Sequence, residues 1–193
     1  VNCLSAKEDR DIKIFKKTTA DTDTEELLRE AAFINRQRAN GNIPKAKKVG
    51  ELLADPDLRG CFKRAVAELG IDDSVLTQNV LIQAYLLRYF VTQTVLHLKL
   101  SVRLLSACAV NAMYDKLIET SPQLYDAVCE GSAFTLYNLC LREDEPARCA
   151  GEHFATLCEK EDNELLIALG EKLYCEYFDA VVDVIEDFDF LSD

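Results

Sequence analysis

The sequence predicts an all-α protein: one helical bundle of six to eight helices around a long buried central helix. Three observations carry this. Residues Val75 to Met113 run for 39 positions without Asp, Glu, Gly or Pro, in a 193-residue chain whose formal charge is −12. An acidic protein has cleared every acid from one long apolar segment, as burial between other helices requires. Glycine (seven) and proline (four) are scarce, whereas a many-turned β architecture needs more of both. Elsewhere apolar residues recur at helical spacing between start and stop signals.

Residues 1–22 mix Lys, Asp and Thr around the weak cluster Ile12, Ile14 and Phe15, and read as an arm ahead of a helical domain spanning 23–193. Thr22 with Glu25, or Asp23 with Glu26, forms a capping box for a first helix with the stripe Leu27, Leu28, Ala31, Ala32 and Ile34. Asn40-Gly41 closes it, since both residues tolerate the left-handed backbone of a helix end. Pro44 starts a short basic helix to Leu53. Asp55-Pro56-Asp57 breaks the chain and caps a third helix over 58–69, which Gly70 ends. Asp73-Ser74 then caps the central segment, a helix over about 75–119.

As one straight rod, residues 75–120 would measure about 68 Å. A compact domain of this length has a diameter near ~42 Å. The rod therefore bends or breaks, and the small residues Ser106-Ala107-Cys108-Ala109 place that break near 106–112. The alternative is a protruding end covered by a second copy of the chain, a homodimer. Ser121-Pro122 restarts the chain with a capping serine and a first-turn proline. Gly131-Ser132 interrupts that helix before Phe134 and Tyr137, and Glu145-Pro146 starts another to about Lys160. Asn163 caps the last, in which Leu166, Leu169, Leu173, Tyr177, Val181, Val184 and Phe188 recur at helical spacing.

Charge is unevenly placed. Residues 1–50 hold eleven Lys/Arg and eight Asp/Glu, and residues 113–193 hold five against twenty, net −15. An acidic C-terminal part (about 143–193) repels nucleic-acid phosphate, so direct DNA or RNA binding is not expected, and it suits a protein partner with a basic surface. The candidate interaction surface is Glu164, Glu171, Asp179, Asp183, Glu186 and Asp187. Such carboxylates can also hold two metals in a bundle, but that chemistry brings Glu-x-x-His motifs, and none is present. The basic run Arg36, Arg38, Lys45, Lys47 and Lys48 lacks aromatics and a phosphate loop. It reads as a solvated corner or as a dock for the acidic half.

The central segment carries a second candidate. At 100° per residue Tyr85, Arg88, Tyr89 and Thr92 share a stripe with Lys99 and Arg103, which could line a pocket for an anionic ligand. The plainer reading has each cation snorkelling to the surface or pairing with C-terminal carboxylates. A membrane span is not expected over 80–98: Gln83, Arg88, Gln93 and His97 interrupt it, and a central Arg alone costs ~2.5–3.5 kcal/mol.

Eight cysteines are spread widely with no Cys-x-x-Cys pair, which fits reduced, buried thiols in a cytoplasmic protein. Val1–Ala6 shows no charged leader ahead of an apolar core, so no secretory signal is expected there. Cys149 and His153 are four apart and would share a helix face, with Cys140 and Cys158 nearby in sequence. The remaining spacings match no metal pattern, so a structural thiol beside a surface histidine is the expectation. No metal or other cofactor is expected, and with two histidines, no phosphate loop and no nucleophile elbow most enzyme mechanisms lack their parts. The function that follows is a non-enzymatic helical interaction protein with an acidic surface. Two alternatives stand beside it: an acidic mimic of nucleic acid that inhibits a DNA- or RNA-handling protein, and a ligand-binding protein or enzyme with a pocket near Tyr85 and Arg88.

Overall fold

A computed structural model of the chain describes residues 20–100 and 102–191, with the side chains of 20–23 and 130 outside that description. The described residues are all-helical and contain no strand. Nine α-helices follow in order: α1 (Ala20–Ala39), α2 (Asn42–Leu53), α3 (Cys61–Glu68), α4 (Gln78–Lys99), α5 (Arg103–Thr120), α6 (Pro122–Glu130), α7 (Ala133–Cys140), α8 (Pro146–Leu157) and α9 (Glu164–Glu186). Most of the predicted arm, residues 1–19, lies outside the described residues. Helix α1 begins at Ala20, within the last three residues assigned to that arm.

Helix α4 is the axis. Every residue from Leu86 to Thr92 is buried, so this helix has no water-facing side over two turns, as the absence of acids there requires. It packs against α9, α7 and α5, while α8 lies on α9 and α2 on α5. Its cap is Thr77, whose hydroxyl accepts from the Val80 amide at 3.4 Å, and not the expected Asp73-Ser74, which lies in the preceding turn. Asp72 instead accepts the Ser74 amide at 2.9 Å, tightening that turn.

The central rod breaks six residues earlier than expected. Leu100 is extended (φ −85°, ψ 92°) and α5 starts afresh at Arg103, while 106–112 is unbroken helix. At the standard rise the two pieces measure about 33 and 27 Å, short enough for one domain without a covering copy. The small residues at 106–109 serve contact rather than breakage. Gly50 of α2 lies so close to α5 that a Cβ added to it would sit 2.0 Å from the Ala109 carbonyl oxygen. Small side chains there admit a neighbouring backbone, which is why the run stays helical. The split rod, with the interruption between α6 and α7, raises the helix number above the predicted six to eight.

Other predicted boundaries need smaller changes. The third helix starts at Cys61, after a 3-10 turn over Leu58–Gly60 in which Arg59 has φ +48°. Gly41 (φ +79°) and Gly70 (φ +61°) take the left-handed conformations expected after the first and third helices. Asn163 caps α9, accepting from the amides of Leu165 and Leu166 at 3.1 Å each. Ser121 precedes α6 as expected, but its side chain makes no capping bond. Among the described residues no helix is long and apolar enough to cross a membrane.

Helix α1 stands apart, contacting mainly α2. Its stripe faces away from the body: Leu27 and Leu28 are about two-thirds exposed, at 64% and 65%.

Candidate functional site

The pocket candidates on α4 part company in space. Arg88, Tyr89 and Thr92 are fully buried, whereas Tyr85 is half-buried. Tyr85 lines a cavity of about 230 Å³ with Phe62, Leu81, Ala84, Tyr177 and the Asp57–Lys63 ion pair. Arg88 is not part of that lining. Neither plain expectation for Arg88 holds: it does not snorkel and it pairs with no carboxylate among the described residues. Its Nη2 donates to the Leu53 carbonyl at 2.6 Å, and the Tyr89 hydroxyl donates to the Ala54 carbonyl at 3.1 Å. Both acceptors end α2, where unpaired carbonyls and the helix dipole concentrate partial negative charge. The guanidinium also lies 4.6 Å from the Tyr89 ring centroid. It is a buried cation seated on a helix terminus, with Nε and Nη1 lacking a protein partner.

The six acidic candidates, five on α9 and Asp187 at its C-cap, divide into engaged and free. Asp183 and Asp187 are clamped by Arg59 at 2.7 and 3.1 Å, and Glu164 and Glu171 lie 3.5 and 3.7 Å from Arg148. Asp179 and Glu186 form no ion pair among the described residues. Glu176, outside the candidate set, takes Arg64 at 2.7 Å and Lys172 at 3.2 Å, and its carboxyl is held below the usual range chiefly by the hydrogen bond from Arg64. Unneutralised charge therefore gathers in the turns at the two ends of α8. Glu143, Asp144 and Glu145 on one side, and Glu159, Glu161 and Asp162 on the other, are all exposed and without an ion pair among the described residues. Of the basic run, Lys45 docks on the carbonyl of Asp189 and Lys48 pairs with Glu51 at 3.1 Å, while Arg36, Arg38 and Lys47 face solvent.

A third constellation forms where sequence spacing argued against one. Cys140 ends α7, and Cys149 and His153 sit one turn apart on α8, which packs on α7. One donor atom from each, two sulfurs and an imidazole nitrogen, lie within 4.8 Å of one another. Cys140 is fully buried and the other two are half-buried. Burial first, then the hydrogen bond with the Cys149 thiol, pushes the Cys140 thiol well up. Cys158 does not join the group; its own burial raises its pKa to about 12. The signal that could have found the trio is the pair on α8 together with a turn, 141–145, short enough to fold α7 back beside it.

No protein-family model, no curated protein and no solved structure matches this chain.

Proposed function

We propose that this chain is a non-enzymatic, cytoplasmic interaction protein whose C-terminal half presents an acidic surface to a protein partner with a basic one. The observation that carries this reading is the separation of engaged from free carboxylates. Arg59, Arg64, Arg148 and Lys172 serve the acids of α9, and the turns flanking α8 keep six exposed carboxylates that form no ion pair among the described residues, against Arg142 and Lys160 in the same turns. The net negative charge of these turns steers a complementary surface and speeds its encounter. The exposed leucines of α1 add apolar area that such a partner could cover. Free thiols at all seven described cysteines fit a reducing compartment.

Affinity capture from the native cell tests it, comparing the full chain with a variant carrying Glu143→Lys, Glu145→Lys, Glu161→Lys and Asp162→Lys. The expected result is a partner retained by the wild type, lost by the variant, and released near ~0.5 M salt, where screening shortens to about 4 Å. A partner held equally by both chains would remove the acidic turns from the reading. Displacement of the partner by duplex DNA would turn it into mimicry of nucleic acid.

A further inference from the structure

We propose that Cys140, Cys149 and His153 form a binding site for a thiophilic divalent cation, zinc by preference. Three donors of the right chemistry converge from two helices. Cys149 and His153 share a face of α8 at i and i+4, and Cys140 arrives from the last residue of α7 across the turn 141–145. Their spacing is already near what a metal needs. Zinc bonds of about 2.3 Å to sulfur in a tetrahedron set two thiolates roughly 3.8 Å apart, and the donor atoms here lie within 4.8 Å of one another. Rotamer adjustments of about an ångström close that gap.

The donor set chooses the ion. Two sulfurs and one imidazole nitrogen favour zinc over the hard cations magnesium and calcium, which take oxygen. The site is sheltered on one side by the buried Cys140 and reachable on the other through the half-buried Cys149 and His153. Exposed Glu143, Asp144 and Glu145 follow Cys140 after Leu141 and Arg142, and their net negative charge favours a dication. Among the described residues no fourth Cys, His, Asp or Glu joins the cluster. The described residues thus supply three ligands and leave the fourth position to water or another donor, the arrangement of a three-ligand site. On binding, each thiol gives its proton to solvent and its sulfur to the metal. The inference rests on the three donors and does not depend on what the acidic turns bind.

Cobalt(II) titration of the reduced chain is the test, followed by displacement with zinc. One equivalent should bind with tetrahedral ligand-field bands and sulfur-to-cobalt charge transfer, which exposed carboxylates alone cannot produce. Cys149→Ser and His153→Ala, each checked for native helix content, should weaken zinc by more than the roughly 10–100-fold typical of outer-shell changes. Cys158→Ser should bind as the wild type does. The spectrum of the unaltered chain decides the matter even where a variant fails to fold. Cobalt bound without sulfur bands, or affinity unmoved by Cys149→Ser and His153→Ala, overturns the site. So does recovery from the native cell of a Cys140–Cys149 disulfide in place of bound metal.

Discussion

Gly151 and Gly170 meet where α8 crosses α9: a Cβ added to Gly170 would stand 2.9 Å from the Gly151 Cα and 2.6 Å from the Phe154 Cβ. On the other side, a Cβ on Gly151 would lie 2.4 Å from the Ile167 carbonyl oxygen. Neither neighbour is the free end of a flexible side chain, so the helices themselves must part. Alanine gains about 1 kcal/mol in helix propensity, but overpacking costs typically 1–3 kcal/mol and more where backbone must move. Gly151→Ala and Gly170→Ala should each lose about 1–3 kcal/mol by urea denaturation. The double variant should lose less than the sum, because one displacement relieves both contacts. A gain in stability from either would show that the helices cross with room to spare.

What was legible in the sequence, and what was not, follows from the range over which each signal acts. The acid-free run from Val75 declares burial because any carboxylate there would need a partner, and Leu86–Thr92 are indeed enclosed. Where that run breaks is a tertiary matter. Ser106 to Ala109 look like a weak point only until Gly50 of α2 is seen pressing on Ala109. Arg88 was readable as a charge needing company, but its acceptor is the end of a helix 35 residues away, which no local pattern announces. The thiol–imidazole trio spans two helices and a turn, so only the i, i+4 half of it is visible in one dimension.

Arg88 offers a test of what a buried cation contributes. Arg88→Met strands the Leu53 carbonyl, a loss of about 1–3 kcal/mol, yet it also removes a desolvated guanidinium whose Nε and Nη1 have no protein partner. Replacing a buried charge with an apolar side chain of similar length is often close to neutral. Thermal melts should place Arg88→Met within about 2 kcal/mol of the wild type. Arg88→Ala adds a cavity and should lose about 3–5 kcal/mol. Loss of a cooperative transition in the methionine variant would mean that the charge itself holds the end of α2.

Glu176 makes stability depend on acid. Its folded pKa lies below the ordinary value of 4.5, first through the hydrogen bond from Arg64 and then through the one from Lys172. A depressed carboxyl contributes stability that is fully present above the unfolded pKa and is lost as pH falls through the folded one. Glu176→Gln should therefore lose about 1 kcal/mol at pH 7, and the gap to the wild type should narrow below about pH 4.5. Melting temperatures from pH 3 to 7 report this. Parallel curves over that range would mean that the network around Arg64 adds nothing.

Asn42 ties the chain's C-terminal segment to its first turn. Its buried amide donates to Gln37 Oε1 at 2.7 Å and to the Leu191 carbonyl at 2.8 Å, and its Oδ1 accepts the Leu191 amide at 2.9 Å. Both backbone groups of Leu191 are thus satisfied by one side chain, as a neighbouring strand would satisfy them. Lys45 reinforces the tie through the Asp189 carbonyl, and Phe188 and Phe190, half-buried against the core, line a groove with Leu100, Val102 and Leu105. Asn42→Ala removes both bonds to Leu191 but leaves the two rings in place. Because Leu191 lies at the surface, water can take its freed groups, so the global loss should be only about 1–2 kcal/mol. The local effect should be larger: the Leu191 amide should exchange its hydrogen at least about tenfold faster, while amides in the middle of α9 stay as protected as before. Unchanged exchange at Leu191 would assign the tail's hold to Phe188, Phe190 and the bond from Lys45 to Asp189, the parts of the attachment that the substitution leaves intact.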